Sequence, residues 1–189
     1  MLNSSGKKVI AGIALVSVVV GFYFTINHYG NAQSNNKNLQ KQQNNTTLAS
    51  VWDQPSNLNY SGNNKMAVYR SPSCGCCGGW IAHMKKQGFE ITDLKTEDMD
   101  AIKQKYNLPS ELASCHTSII DGYVLEGHIP ADDIKRFLTQ KPDNLKGLAV
   151  PAMPIGTPGM ESGDIKQPFA VVAFNRQGET TVFNQYDNY

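Results

Sequence analysis

The stretch Ser73-Cys74-Gly75-Cys76-Cys77-Gly78-Gly79-Trp80 constrains this chain more than any other, because it crowds three of the four cysteines together. A strand-like run, Met66 to Arg70, leads into it, and a helix-like run, Trp80 to Gln87, leads out. A strand feeding a turn and then a helix places the thiols at the helix N-terminus. Free backbone N–H groups and the positive end of the helix dipole favour thiolate over thiol there. Thiolate is the form that binds metals and attacks disulfides. Adjacent Cys76 and Cys77 are badly placed to pair with each other. Three crowded cysteines among four therefore read as a metal or redox site rather than a disulfide framework.

The rest of the chain divides sharply. Lys7 and Lys8 precede Val9 to Ile26, an uncharged and almost wholly apolar run. As a helix it would span roughly 27 Å, close to the hydrocarbon thickness of a bilayer. Basic residues before it and none just after orient its C-terminal side outward. The run suits an uncut anchor, and Gly30-Asn31-Ala32 also suits cleavage of a signal peptide. Both readings carry the remainder to the periplasmic side of the inner membrane. Residues 33–64 are rich in Asn, Gln and Ser, too polar to offset their ordering entropy by burial, and read as a disordered linker. Leu48 to Trp52 is the part of it suited to docking locally. Residues 65–189 are the foldable domain. A formal net charge of +1 argues against nucleic-acid binding.

Within that domain the hydrophobic pattern alternates between periods. Met66 to Tyr69 reads as a buried strand, and Trp80, Ile81 and Met84 make a helical stripe ended by Gly88. Phe89 to Leu94 reads as a second strand. Met99, Ile102 and Tyr106 mark a second helix, closed by Pro109. Thr117 to Ile120 and Tyr123 to Glu126 form a hairpin around Asp121-Gly122, and Pro130 opens a third helix carrying Ile134, Phe137 and Leu138. Strand, helix, strand, helix, hairpin, helix, with the cysteines after the first strand, is the layout of an α/β, thioredoxin-like domain. Gly147 to Gly163 is too rich in Pro and Gly for a helix and reads as a long loop packed as a lid. Phe169 to Phe174 and Thr180 to Phe183 read as an extra C-terminal β-hairpin suited to extending the sheet.

Several motifs together resemble a known family. Tyr69-Arg70-Ser71-Pro72-Ser73-Cys74-Gly75-Cys76-Cys77, Cys115-His116-Thr117, Gly127-His128-Ile129-Pro130, Gly147-Leu148-Ala149-Val150-Pro151 and Gly156-Thr157-Pro158-Gly159-Met160-Glu161 resemble the CopG-type family of bacterial copper-resistance proteins. The resemblance covers about residues 65–183. It implies an exported, thioredoxin-like protein whose cysteines bind Cu(I), with a proposed redox role. Pro151-Ala152-Met153 stands where the family pattern has Pro-Gly-Met.

The chemistry of the thiols is compatible with that reading. Soft thiolates select Cu(I), zinc or iron–sulfur clusters over hard ions. A structural zinc site usually takes two separate cysteine pairs, and a second pair is missing here. Close sulfurs can instead bridge several Cu(I) ions in a polynuclear thiolate cluster. In thioredoxin-like domains the strand after the second helix begins beside the site, usually with a cis-proline. Ser114-Cys115-His116-Thr117 occupies that place, so Cys115 is the expected fourth sulfur. The missing proline weakens a protein-disulfide role. The metal candidates are thus Cys74, Cys76, Cys77 and Cys115, with His116, Met153 and Met160 as further ligands or neighbours of ligands. His83 and His128 read as surface or capping residues. The expected partners are copper ions and other exported copper-handling proteins. Two alternatives stand beside copper binding: a thiol–disulfide oxidoreductase using Cys74 and Cys77, and an iron–sulfur or zinc module.

Overall fold

Alternation of buried and more exposed side chains along Lys65–Arg70 makes this segment a strand with one face turned to the core. It is strand β1, and its Met66, Val68 and Arg70 face one side together. The computed structural model describes residues 50–189 apart from Pro55, Asn57 and Asn59. The apolar N-terminal segment, and the linker before Ser50, lie outside the described residues. Among the described residues no helix is long and apolar enough to cross a membrane.

After β1 come helix α1 (Gly75–Lys86), strand β2 (Glu90–Lys95), helix α2 (Met99–Lys105) and the hairpin β3 (His116–Ile120) and β4 (Tyr123–Glu126). Helix α3 (Ala131–Gln140), β5 (Leu145–Ala149), β6 (Phe169–Asn175) and β7 (Thr180–Tyr186) complete the domain. The seven strands order as β2-β1-β3-β4-β5-β6-β7. The β1–β2 and β4–β5 pairs are parallel and the remaining pairs antiparallel. Each parallel pair is joined through a helix, as a crossover requires. The expected α/β class and the closing hairpin are both present.

Two corrections emerge. Leu145–Ala149 is a strand, although Gly147 stands in it and a Pro/Gly-rich loop follows. Its Gly147 lies so close to the Val124 carbonyl that a Cβ there would sit 1.7 Å from the oxygen. The glycine therefore marks close backbone approach within a sheet rather than a loop. Helix α1 also begins earlier than its apolar stripe suggests, at Gly75 instead of Trp80, so Cys76 and Cys77 lie in its first turn.

The core lies mainly on one face of the sheet. Trp80, Ile81 and Met84 of α1 meet Met66 and Val68 of β1, with Ile134, Phe137 and Leu138 of α3 alongside. A smaller cluster of Leu112, Val124, Ala149 and Phe174 packs with Tyr106 and Leu108, which follow α2. Burying each such side chain contributes about 1.5–3 kcal/mol, and the result fixes α1 against β1 at the end where the cysteines emerge. Trp80 adds a buried hydrogen bond from Nε1 to the Ile129 carbonyl, 2.9 Å, which ties α1 to the entry of α3. Trp52, in the short 3-10 turn Val51–Asp53, packs on Phe169, Tyr186 and Tyr189 and donates to the Gly156 carbonyl.

Candidate metal centre

Cys74 ends the approach from β1 and caps α1. Its Sγ accepts from the Cys77 N–H at 3.3 Å, taking the place of an oxygen N-cap. That sulfur cap starts the helix ahead of the apolar stripe. Cys74 and Cys77 are joined in a disulfide with their Cα atoms 5.4 Å apart, and Cys76 and Cys115 are free. The Cys76 sulfur lies 3.5 Å from that of Cys74.

Cys115 sits immediately before the neighbouring strand β3, whose His116 pairs with Arg70 at the end of β1. The sulfurs of Cys74, Cys76, Cys77 and Cys115 all lie within 4.8 Å of one another. The four cysteines predicted from sequence are therefore brought together. Burial, followed by neighbouring Cys76, pushes the Cys115 thiol up to about 12, so in the metal-free protein it keeps its proton. A metal binding there must displace that proton.

Histidines extend the centre beyond the sulfurs. His116 is fully buried, with Nδ1 3.5 Å from the Cys115 sulfur and its ring against Trp80, centroids 4.4 Å apart. Its Nε2 has no hydrogen-bond partner. His128 corrects the surface assignment: it is fully buried, and its Nε2 sits 3.0 Å from the Cys115 sulfur. The Pro158 carbonyl, 2.7 Å from Nδ1, can only accept, so Nδ1 carries the proton and Nε2 turns a lone pair toward the sulfur. Burial lowers the pKa of both rings; for His116 the neighbouring His128 adds to the effect. Both remain neutral, the form that ligates metal. Ligand atoms of Cys115, His116 and His128 also fall within 4.8 Å of one another. The clue in the sequence was His128 following a glycine that ends β4; its burial depends on the lid loop, which no local pattern reveals.

Two further groups, Arg70 and Glu126, shape the centre and were missed from sequence. Arg70 forks onto Asp93 through Nε and Nη2, each at 2.8 Å, and its Nη1 donates to the Cys74 carbonyl at 3.2 Å. Glu126, wholly buried on β4, accepts from the Ser114 N–H at 2.7 Å, from Thr117 Oγ1 at 2.6 Å and from Lys103 Nζ. Burial raises its pKa, and the Lys103 charge and the three donors act against that rise. The carboxylate thereby holds the turn that presents Cys115.

The lid expectation also finds a physical form. Gly159, at φ +80°, lies so near the start of α1 that a Cβ on it would stand 2.3 Å from the Trp80 nitrogen and 2.9 Å from the Cys76 carbonyl. Only glycine allows the loop to lie that close to the cysteine turn. Met153 is largely exposed, at 53 %, and Met160 half-buried, its N–H bonded to Thr157. Ser114 Oγ donates to the Ala152 carbonyl, joining the loop to the residue before Cys115.

The comparisons bear on this constellation. Residues 112–160, from the turn before Cys115 to Met160, match a family described as a protein of unknown function, DUF411. No curated protein matches the chain. Two solved structures, both of copper resistance protein CopG, resemble it throughout their length. Form 1 is 41 % identical with a TM-score of 0.63, covering 67 % of this chain and 100 % of that one. Form 2 is 42 % identical with the same TM-score, covering 66 % and 99 %.

Proposed function

This chain belongs to the family of copper resistance protein CopG, and from that premise we propose that it binds Cu(I) through Cys74, Cys76, Cys77 and Cys115 and contributes to copper tolerance. The observation that carries the reading is the convergence of four sulfurs within 4.8 Å. Soft, bridging thiolates in that number hold more than one Cu(I) ion. The ligating state is the reduced one: exchange with an external dithiol, itself oxidised to a disulfide, converts Cys74–Cys77 into two thiols, and Cu(I) then displaces protons from the sulfurs. His128 and His116 support the sulfur of Cys115, and the loop carrying Pro158 and Gly159 limits access by water. The domain is of thioredoxin-like type, a reading supported by β1 standing between parallel β2 and antiparallel β3 with the cysteines at the start of α1. Its place is the periplasmic side of the inner membrane, a reading supported by the basic-then-apolar N-terminus.

The Cys74–Cys77 disulfide favours a second reading, a thiol–disulfide oxidoreductase with these two cysteines as the exchanging pair. Cys115→Ser separates the two. An exchange enzyme keeps disulfide reductase activity, because Cys115 is not one of the pair. A Cu(I) protein loses at least about tenfold in affinity, by analogy with the ~10–100-fold that follows loss of a partner behind a ligand. The measurement pairs Cu(I) competition with insulin reduction on wild type and variant. Unchanged copper binding with intact reductase activity would make the enzyme reading first.

A further inference from the structure

Residues 156–161 of the lid loop are held at both ends by a short segment that stands ahead of β1 in the chain. Trp52 Nε1 donates to the Gly156 carbonyl at 2.7 Å, and Ser50 Oγ donates to Glu161 Oε1 at 2.7 Å. Between those two points the loop closes on itself. The Gly156 N–H bonds to the Met160 carbonyl at 3.0 Å, and the Met160 N–H to the Thr157 carbonyl at 2.8 Å. Residues 156–160 therefore move as one unit, and whatever fixes the ends also fixes Pro158 and Gly159. Those two residues meet the sulfur centre, Pro158 through Nδ1 of His128 and Gly159 against the Cys76 carbonyl.

The same segment is anchored on helix α1. Gln87 Nε2 donates to the Trp52 and Gln54 carbonyls, each at 3.0 Å, and Lys86 pairs with Asp53 at 2.9 Å. His83, expected at the surface, is only 6 % exposed, and its ring lines a cavity beside Val51 and Trp52. The indole of Trp52 packs on Phe169, Tyr186 and Tyr189, with ring centroids 6.3, 5.4 and 5.2 Å away. Trp52 is nevertheless half-buried, whereas Trp80 on α1 is wholly buried. Two hydrogen bonds and a half-buried ring are weak ties beside the sheet. Such ties open locally while the core stays folded.

We propose that residues 50–54 latch the lid over the sulfur centre, with Trp52 as a positioning residue. Through Gly156 and Pro158 it holds the His128 ring toward Cys115, and it sets how fast Cu(I) enters and leaves. The latch stands on this geometry alone; its effect on copper rests on the Cu(I) reading.

The test uses the full chain, and its first arm needs no metal. Hydrogen exchange followed by mass spectrometry reports slow local opening, peptide by peptide. In the metal-free disulfide form, Trp52→Ala should speed exchange across residues 155–162 at least about tenfold, since a hydrogen bond and an aromatic contact are lost together. Exchange in β1 and β3 should stay as in wild type. Trp52→Phe, which keeps a ring but loses the bond to Gly156, should fall between the two. Where Trp52→Ala does not fold, Trp52→Phe and Ser50→Ala decide on the same readout. Unchanged exchange in the lid, or equal acceleration in the lid and in β1 and β3, would overturn the latch. In the second arm the reduced chain, loaded with Cu(I) under nitrogen, is mixed with a chromophoric Cu(I) chelator. Trp52→Ala should hand over its copper several-fold faster than wild type. A faster lid with an unchanged transfer rate would overturn the positioning role. A wild-type chain that takes up no Cu(I) would sink the copper reading instead, and the exchange arm would then decide the latch by itself.

Discussion

His128 Nε2 stands 3.0 Å from the sulfur of Cys115. Because the Pro158 carbonyl fixes the proton on Nδ1, the lid loop sets which nitrogen faces the sulfur. That arrangement of backbone carbonyl, imidazole and ligand atom is a common way of orienting a metal-binding group. His128→Gln should therefore lower Cu(I) affinity by about 10–100-fold. Competition against a chromophoric Cu(I) chelator measures this directly. Unchanged affinity would reduce His128 to a packing residue.

Glu126 is the second residue on which the Cys115 turn depends. Glu126→Ala would strand the Ser114 N–H, the Thr117 hydroxyl and the Lys103 ammonium beside a buried space. Breaking a buried charge pair from one side costs about 3–5 kcal/mol. Urea denaturation should show a loss of that order. A loss below ~1 kcal/mol, the scale of an exposed pair, would mean that water reaches these donors easily.

What could be read in advance followed short-range chemistry. The cysteine turn, the Asp121-Gly122 hairpin and the helical stripes all announce themselves within a few residues. Asp121 and Gly122 indeed both take positive φ, 49° and 81°. Cys115 was legible because the order of elements brings the start of β3 beside α1. The partners that complete the site were not, since each acts across the sheet or through the lid. Arg70 looked like a strand end until Asp93 and the Cys74 carbonyl were seen around its guanidinium. Glu126 looked like the polar end of a hairpin, and His83 like the solvent side of a helix. Nothing local distinguishes those from exposed residues; the 3-10 turn carrying Trp52 packs nearby and helps line the cavity of His83. Ala152 is a case in between. It replaces a glycine of the family pattern and still takes φ 61°, so the loop keeps a left-handed step at a residue that adopts it at some cost.

Acid should expose the buried imidazole of His83. Its pKa in the folded chain is about 4 against an ordinary 6.5, with burial the main cause. The unfolded chain therefore takes up a proton that the folded chain refuses. This contribution to stability is whole above pH 6.5, declines as pH falls from 6.5 to 4 and is lost below that range. At its full extent it amounts to about 3 kcal/mol. Denaturation of the metal-free protein across this range should show a steeper fall for wild type than for His83→Gln. Parallel curves would mean that His83 is hydrated in the folded state.

The most direct test of the copper account is anaerobic Cu(I) titration of the fully reduced chain, with bound copper, iron and zinc counted after dialysis. Four convergent sulfurs predict tight uptake of more than one Cu(I) per chain, and little uptake when the Cys74–Cys77 disulfide is left intact. A copper content near zero in the reduced protein, or retention of iron or zinc in preference to copper, would contradict it.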